Sequence, residues 1–153
     1  MENKNSLNII LFRISIVGLV ASILLVGIIS YASLISSEKL SSIGFFPFGD
    51  KGAHIVAYAV LGIFLYFSFS RISFKLYDEN NDLIASNWII LPSFLTIITG
   101  LLVGTILEVI QKSVSRSFEV LDIVADGLGL LVGCTIAYYI LKGILKIAII
   151  KEL

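Results

Sequence analysis

EVIQKSVSRSFEVLDIVADGLGLLVG, the stretch from Glu108 to Gly133, decides the fold of this chain. It begins at the end of one long apolar run and ends inside the next. A charge at the centre of a bilayer costs roughly 2.5–3.5 kcal/mol on insertion scales, and less near the interface. Many polar side chains at such a boundary therefore indicate a site. They are Glu108, Gln111, Lys112, Arg116, Glu119, Asp122 and Asp126.

The composition is that of an integral membrane protein. Of the 153 residues, 58% are hydrophobic and 14% are charged, whereas about 25% of the residues of a soluble domain are charged. The formal net charge is zero and there is no basic stripe, so no nucleic-acid partner is expected. Cys134, the single cysteine, lies in an apolar run and is interpreted as a small packing residue.

Four apolar runs are each long enough to cross the hydrocarbon, which takes about 20 residues in a helix. The runs lack the alternation of barrel strands, so we predict an all-α membrane protein, a compact bundle of four transmembrane helices. A cleaved signal peptide is the alternative for the first run, and its length disfavours cleavage. A single domain covers residues 1–153, with spans at about 9–31, 53–70, 88–111 and 121–141 and loops over 32–50 and 71–87.

The distribution of Lys and Arg predicts the orientation. With four spans, the side that holds both termini and the 71–87 loop carries seven of these residues, and the other side carries four. Because cytoplasmic segments are enriched in Lys and Arg, both termini are predicted to be cytoplasmic. The loop before the second span and the connection between the third and fourth are then extracytoplasmic.

Three polar stripes are predicted to meet at that extracytoplasmic face, since residues three or four apart share one side of a helix. The connection after the third span is so short that an antiparallel hairpin is expected, which makes Glu108 and Asp122 neighbours. The stripes are Asp50, His54 and Tyr58 with Lys51 beside them; Thr105, Glu108 and Gln111; and Asp122, Asp126, Gly129 and Gly133.

Two features of the sequence support this convergence. Adjacent carboxylates need a cation, and the forked guanidinium of Arg116 is the natural one. Two G-x-x-x-G pairs would let helix backbones approach each other closely. They are Gly100 with Gly104, and Gly129 with Gly133.

The candidate catalytic residues are His54 and Glu108. His54 is the only side chain here that titrates near neutral pH when unperturbed, and Glu108 is a candidate base, metal ligand or proton carrier. The alternative is structural: His54 bound to Asp50 or Glu108, and Glu108 paired with Lys51 or Arg116. Lys112 and Glu119 are interpreted as solvated loop charges. The predicted ligand-binding residues are Asp50, Lys51, Tyr58, Gln111, Arg116, Asp122 and Asp126.

The metal signal in the sequence is weak. There is no H-x-x-x-H or other compact ligand pair, so neither a metal nor a cofactor is predicted. The residues considered for such a site are His54, Glu108, Asp122 and Asp126.

The combined spacing of these residues resembles the VanZ-like family of bacterial membrane proteins. The resemblance covers the second to fourth spans and departs at Asp126, where the family often has asparagine. The matching segments are Asp50-Lys51-x-x-His54-x-x-x-Tyr58 followed by Leu61-Gly62, Gly104-x-x-x-Glu108-x-x-Gln111, and Arg116-x-Phe118-x-x-x-Asp122-x-x-Ala125-x-x-x-Gly129-x-x-x-Gly133.

The resemblance implies a multi-pass protein of the bacterial cytoplasmic membrane and a role in susceptibility to the lipoglycopeptide teicoplanin. We expect the polar site to bind a membrane lipid or a lipidated envelope molecule. The alternative is a membrane-embedded enzyme acting on a lipid-linked envelope substrate, in which Arg116 and Lys51 hold the head group while His54 or Glu108 moves a proton. A proton or ion pathway is disfavoured because the other halves of the spans lack acidic residues and histidine.

Overall fold

The computed structural model describes residues 2–34, 49–80, 87–113 and 119–150, with side chains over 8–33, 49–72, 90–111 and 119–147. Within these ranges the elements are the helices α1 (Glu2–Leu34), α2 (Gly49–Asn80), α3 (Asn87–Ser113) and α4 (Val120–Ile150). Each helix contains a segment long and apolar enough to cross a membrane: Asn8–Ser33, Gly49–Ile72, Ile90–Gln111 and Val120–Ile147. The predicted all-α bundle of four transmembrane helices is confirmed.

All four helices extend beyond the predicted spans, and α1 already begins at Glu2 and ends at Leu34. α2 continues to Asn80, so the loop predicted over 71–87 is wrong for residues 71–80. α4 continues to Ile150 rather than ending near residue 141. Neither glycine nor proline interrupts residues 71–80, so nothing there breaks the helical hydrogen bonds where the chain becomes polar. The fall in hydrophobicity after residue 70 therefore marks the end of the apolar segment of α2 and not the end of the helix.

α2 is the central helix of the bundle. Its most extensive interface is with α4, and it also packs on α1 and α3, whereas α1 has little contact with α3 or α4. Two buried clusters form the core. One includes Tyr58, Leu107 and Leu130, and the other includes Tyr66 and Cys134. Cys134 is a buried packing residue, as interpreted from the sequence. α1 and α3 end, and α2 and α4 begin, at the same end of the bundle, which we call the site end.

Glycine makes the α2–α4 interface possible. A methyl group on Gly129 would lie 2.5 Å from the carbonyl oxygen of Ile55, and one on Gly133 would collide with the carbonyl oxygen of Ala59. Both obstacles are backbone atoms, which cannot rotate away. The close backbone approach predicted from the G-x-x-x-G pair on α4 is confirmed. On α3 the facing groups are side chains instead, because Gly104 lies against the carboxylate of Asp126.

We expect Gly133→Ala to lower the free energy of unfolding by about 1–3 kcal/mol, the usual cost of overpacking. Gly143→Ala is the matched control, because nothing lies within 4 Å of a methyl group there. Both substitutions gain the same helix propensity, about 0.8–1.0 kcal/mol, so the difference between them measures packing. Thermal unfolding of the purified protein in detergent checks this. Equal stability of the two variants would contradict it.

Candidate functional site

The polar stripes converge at the site end, as predicted. α2 contributes Asp50, Lys51, His54 and Tyr58 from its first turns, α3 contributes Glu108 and Gln111 from its last turns, and α4 contributes Asp122 and Asp126 from its first turns. The side chains of Tyr58, Glu108, Gln111, Asp122 and Asp126 are all buried. Thr105 is exposed and is not part of this cluster. The prediction that Thr105 belongs to the cluster was wrong, because the preceding residue, Gly104, occupies the position on α3 that faces Asp126 of α4.

Asp126 is the deepest carboxylate of α4 in the site, and both of its hydrogen-bond partners are on α2. The Nδ1 atom of His54 lies 2.8 Å from Asp126 Oδ1. When Asp126 is ionised it can only accept, and His54 then donates from Nδ1. The Tyr58 hydroxyl also donates to Asp126. Gly104 leaves room for this pair, since a methyl group there would lie 2.5 Å from Asp126 Oδ2.

Lys51 is the cation that pairs with the acids at the start of α4. Its Nζ atom lies 2.7 Å from Glu119 Oε2 and 2.5 Å from Asp122 Oδ1. Glu119 lies outside the helices and its side chain is 47% exposed, in agreement with a solvated loop charge, but its ion pair with Lys51 was not predicted. These partners are far apart in the chain, and helical spacing alone does not reveal the contact. Arg116, the cation predicted for this place, lies outside the described residues.

Glu108 is the least satisfied acid in the described part of the site. It is 1% exposed, its Oε2 atom accepts from the backbone N–H of Glu119 at 3.3 Å, and its Oε1 atom has no hydrogen-bond partner there. Gly104 faces Asp126, and α3 and α4 are antiparallel. One turn later on α3 therefore corresponds to one turn earlier on α4, so Glu108 faces Asp122. The predicted proximity of Glu108 and Asp122 is confirmed through Glu119, whose N–H donates to Glu108 Oε2 and whose carbonyl oxygen accepts from the N–H of Asp122 at 3.0 Å. A buried oxygen without a partner is unusual and marks a candidate site.

A cavity of about 190 Å³ lies beside this cluster, between α1 and α2. Ligand pockets are usually about 300–1,000 Å³, so this one can take part of a ligand rather than a whole lipid. The surface of the cavity is almost entirely apolar, and most of its lining residues come from α1 and α2. They include Ile28, Ile29 and Ala32, and the polar residues Asp50, His54, Tyr58 and Gln111 expose little polar surface to it.

Three side chains place metal-ligand atoms together at the site end. One ligand atom from each of Asp50, His54 and Asp122 lies within 4.8 Å of the other two. Asp50 was not predicted from the sequence as a metal ligand. The signal that could have revealed it is Asp50-x-x-x-His54, which puts a carboxylate and an imidazole on one helix face.

No protein-family model, curated protein or solved structure matches this chain. The class of protein shown by the structure is a four-helix bundle whose helices can each cross a membrane. The resemblance to the VanZ-like family stays a prediction.

We expect Glu108→Gln to raise the free energy of unfolding by about 0.5–2 kcal/mol, the range of single stabilising substitutions. The amide keeps the shape and the acceptor for Glu119 while removing a charge that faces Asp122. Glu119→Gln is the control and should lower stability by about 0–1 kcal/mol, as for a surface ion pair. Thermal unfolding measures both. If Glu108→Gln instead lost about 3–5 kcal/mol, Glu108 would be one half of a buried ion pair.

Proposed function

We propose that this chain is a VanZ-like protein of the bacterial cytoplasmic membrane that binds an amphipathic ligand at the site end and thereby lowers susceptibility to teicoplanin. The ligand is a membrane lipid or a lipidated envelope molecule. The observation that carries the proposal is the apolar cavity between α1 and α2, which borders the polar cluster of the site end at Asp50, His54 and Gln111. An apolar cavity beside a polar cluster matches a molecule with an alkyl part and a polar head.

The position of the cavity supports entry from the membrane. Ile28 lines the cavity and is also 62% exposed on the bundle surface. The cavity therefore borders the lipid-facing side of α1, and a ligand can approach sideways without crossing the polar end. The polar part of the ligand would then meet His54 and Gln111, while its chain would follow α1.

The predicted orientation supports a site on the side of the membrane where envelope molecules are found. The excess of Lys and Arg on the side of both termini favours a cytoplasmic location for that side. The site end then faces the outer leaflet. A protein that binds a lipidated envelope molecule there can change the amount of that molecule that is accessible to a lipoglycopeptide.

We expect Ala53→Leu to abolish ligand capture and protection, because its side chain lines the cavity and would fill it. Val56→Leu on the lipid-exposed face of the same helix is the matched control and should behave like the unchanged chain. Two measurements check this. One is teicoplanin susceptibility of a sensitive Gram-positive host at equal membrane levels of each variant, and the other is photo-crosslinking of lipid by a probe near the cavity. Protection that is equal in both variants would refute a role for the cavity.

The His54–Asp126 pair favours a second candidate, an enzyme acting on a lipid-linked envelope substrate. A carboxylate that orients an imidazole is the usual arrangement of a general base. In that case His54→Gln should bind lipid-linked substrate and release no product, while the unchanged protein turns it over. Chromatography of lipid extracts after incubation in nanodiscs measures the product. An absence of turnover by the unchanged protein across a panel of lipid-linked envelope substrates would remove this candidate.

A further inference from the structure

We propose that the site end binds one divalent metal ion of the zinc type, held by Asp50, His54 and Asp122. Imidazole and carboxylate together form a donor set that suits Zn²⁺. The three ligand atoms come from two helices and lie within 4.8 Å of one another. The proposal goes beyond the proposed function, because the ion would bind whether or not a lipidated ligand follows it.

The hydrogen bond behind His54 prepares the ring for a metal. His54 Nδ1 lies 2.8 Å from Asp126 Oδ1. A neutral ring that donates from Nδ1 to this carboxylate leaves the lone pair of Nε2 available on the opposite side. Histidines that bind metals almost always donate their other ring N–H to a carboxylate, a carbonyl or water, which orients the ring and makes it more basic. Asp126 would therefore be a positioning residue rather than a ligand.

The geometry around Asp122 leaves one oxygen for the ion. Lys51 binds Asp122 Oδ1, while Asp122 Oδ2 lies 3.8 Å from His54 Nε2. That separation is too long for a hydrogen bond. It fits an ion between the two atoms, since zinc lies about 2.0–2.2 Å from nitrogen and oxygen ligands. Lys51 and the ion can occupy Asp122 together.

The buried Oε1 atom of Glu108 also favours a cation beside Asp122. It is 1% exposed and its Oε1 atom has no hydrogen-bond partner within the described residues. It faces Asp122, so two carboxylates meet where the surroundings are poorly hydrated, and each disfavours the charge of the other. A divalent ion beside Asp122 would offset this repulsion. Glu108 Oε1 would then accept a hydrogen bond from metal-bound water.

Such an ion would have an open position. Three protein ligands and one exchangeable position are the pattern of zinc sites that bind water or a substrate. Asp50 and His54 line the cavity as well as the ligand cluster, so that position would face the cavity. With Nε2 on the metal, His54 could not move a proton, and Glu108 would be the remaining candidate for that role.

The chain offers a direct test, because His54 is its only histidine. The full-length protein, purified through a histidine-free tag and treated with a chelator, would be titrated with Zn²⁺ alone. Selective ¹⁵N-histidine labelling gives NMR signals from this one ring. We expect one equivalent of Zn²⁺ to shift the Nε2 resonance while Nδ1 keeps its proton. An unchanged histidine spectrum at saturating Zn²⁺ would overturn the proposal, and this measurement needs no variant.

Calorimetric titration of variants tests the ligand set. All variants would carry Cys134→Ser, which removes the only thiol. Asp122→Asn should abolish the one-to-one binding, and Asp126→Asn should weaken it by about 10–100-fold, as for other partners of metal-bound histidines. Glu119→Gln is the control, because Glu119 shares Lys51 with Asp122 but lies outside the ligand set. Equal Zn²⁺ affinity in Asp122→Asn and Glu119→Gln would refute the site.

Parallel titrations with Mn²⁺, Mg²⁺ and Ca²⁺ should give weaker binding, and tighter binding of Mg²⁺ or Ca²⁺ would overturn the assignment to a zinc-type ion.

Discussion

The close approach of α2 and α4 is the constraint on which the rest of the structure depends. Lipid tails are as apolar as the side chains that face them, so helices in a membrane associate through close packing and polar contacts. Gly129 and Gly133 lie directly against the backbone of α2 at Ile55 and Ala59. Asp126 is on the same face of α4, one turn before Gly129. Its 2.8 Å contact with His54 depends on the distance that the glycines allow.

This packing gathers charges that would be costly one at a time. At the exposed end of the cluster, Lys51 forms ion pairs with Asp122 and Glu119. At the deeper end, His54 forms a hydrogen bond with Asp126. Glu108 is left with an oxygen that has no partner among the described residues. A bundle selected only for stability would avoid such a group, and sites commonly retain unfavourable groups that function requires.

The residues of the site were predicted from the sequence more completely than the ends of the helices were. Hydropathy located all four helices, since an apolar run of sufficient length has few alternatives in lipid. It placed the end of α2 near residue 70, although the helix continues to Asn80. Hydropathy senses the membrane boundary, whereas a helix ends where its hydrogen bonding is interrupted. Helical spacing also brought the stripes of α2 and α4 together, but it included Thr105, which is exposed.

The pairings within the site depend on atomic distances that spacing does not supply. The short connection after α3 was enough to predict Glu108 and Asp122 as neighbours, and in the structure Glu119 links them through its backbone. The connection could not assign Glu119 to Lys51, because the contact joins the first turns of α2 to a residue just before α4. It also could not reveal Asp50 as a companion of Asp122, since those side chains meet only after α2 and α4 have packed.

The sequence by itself determined the class of protein, the number of helices and the end of the bundle at which polar groups collect. The reason is that each of these follows from local hydrophobicity and from the period of a helix. Only the tertiary structure decided which acid binds which base, which carboxylate remains without a partner, and that α1 completes a cavity beside His54. These features depend on how closely backbones approach and how helices rotate against each other, and both are set by packing across the whole bundle.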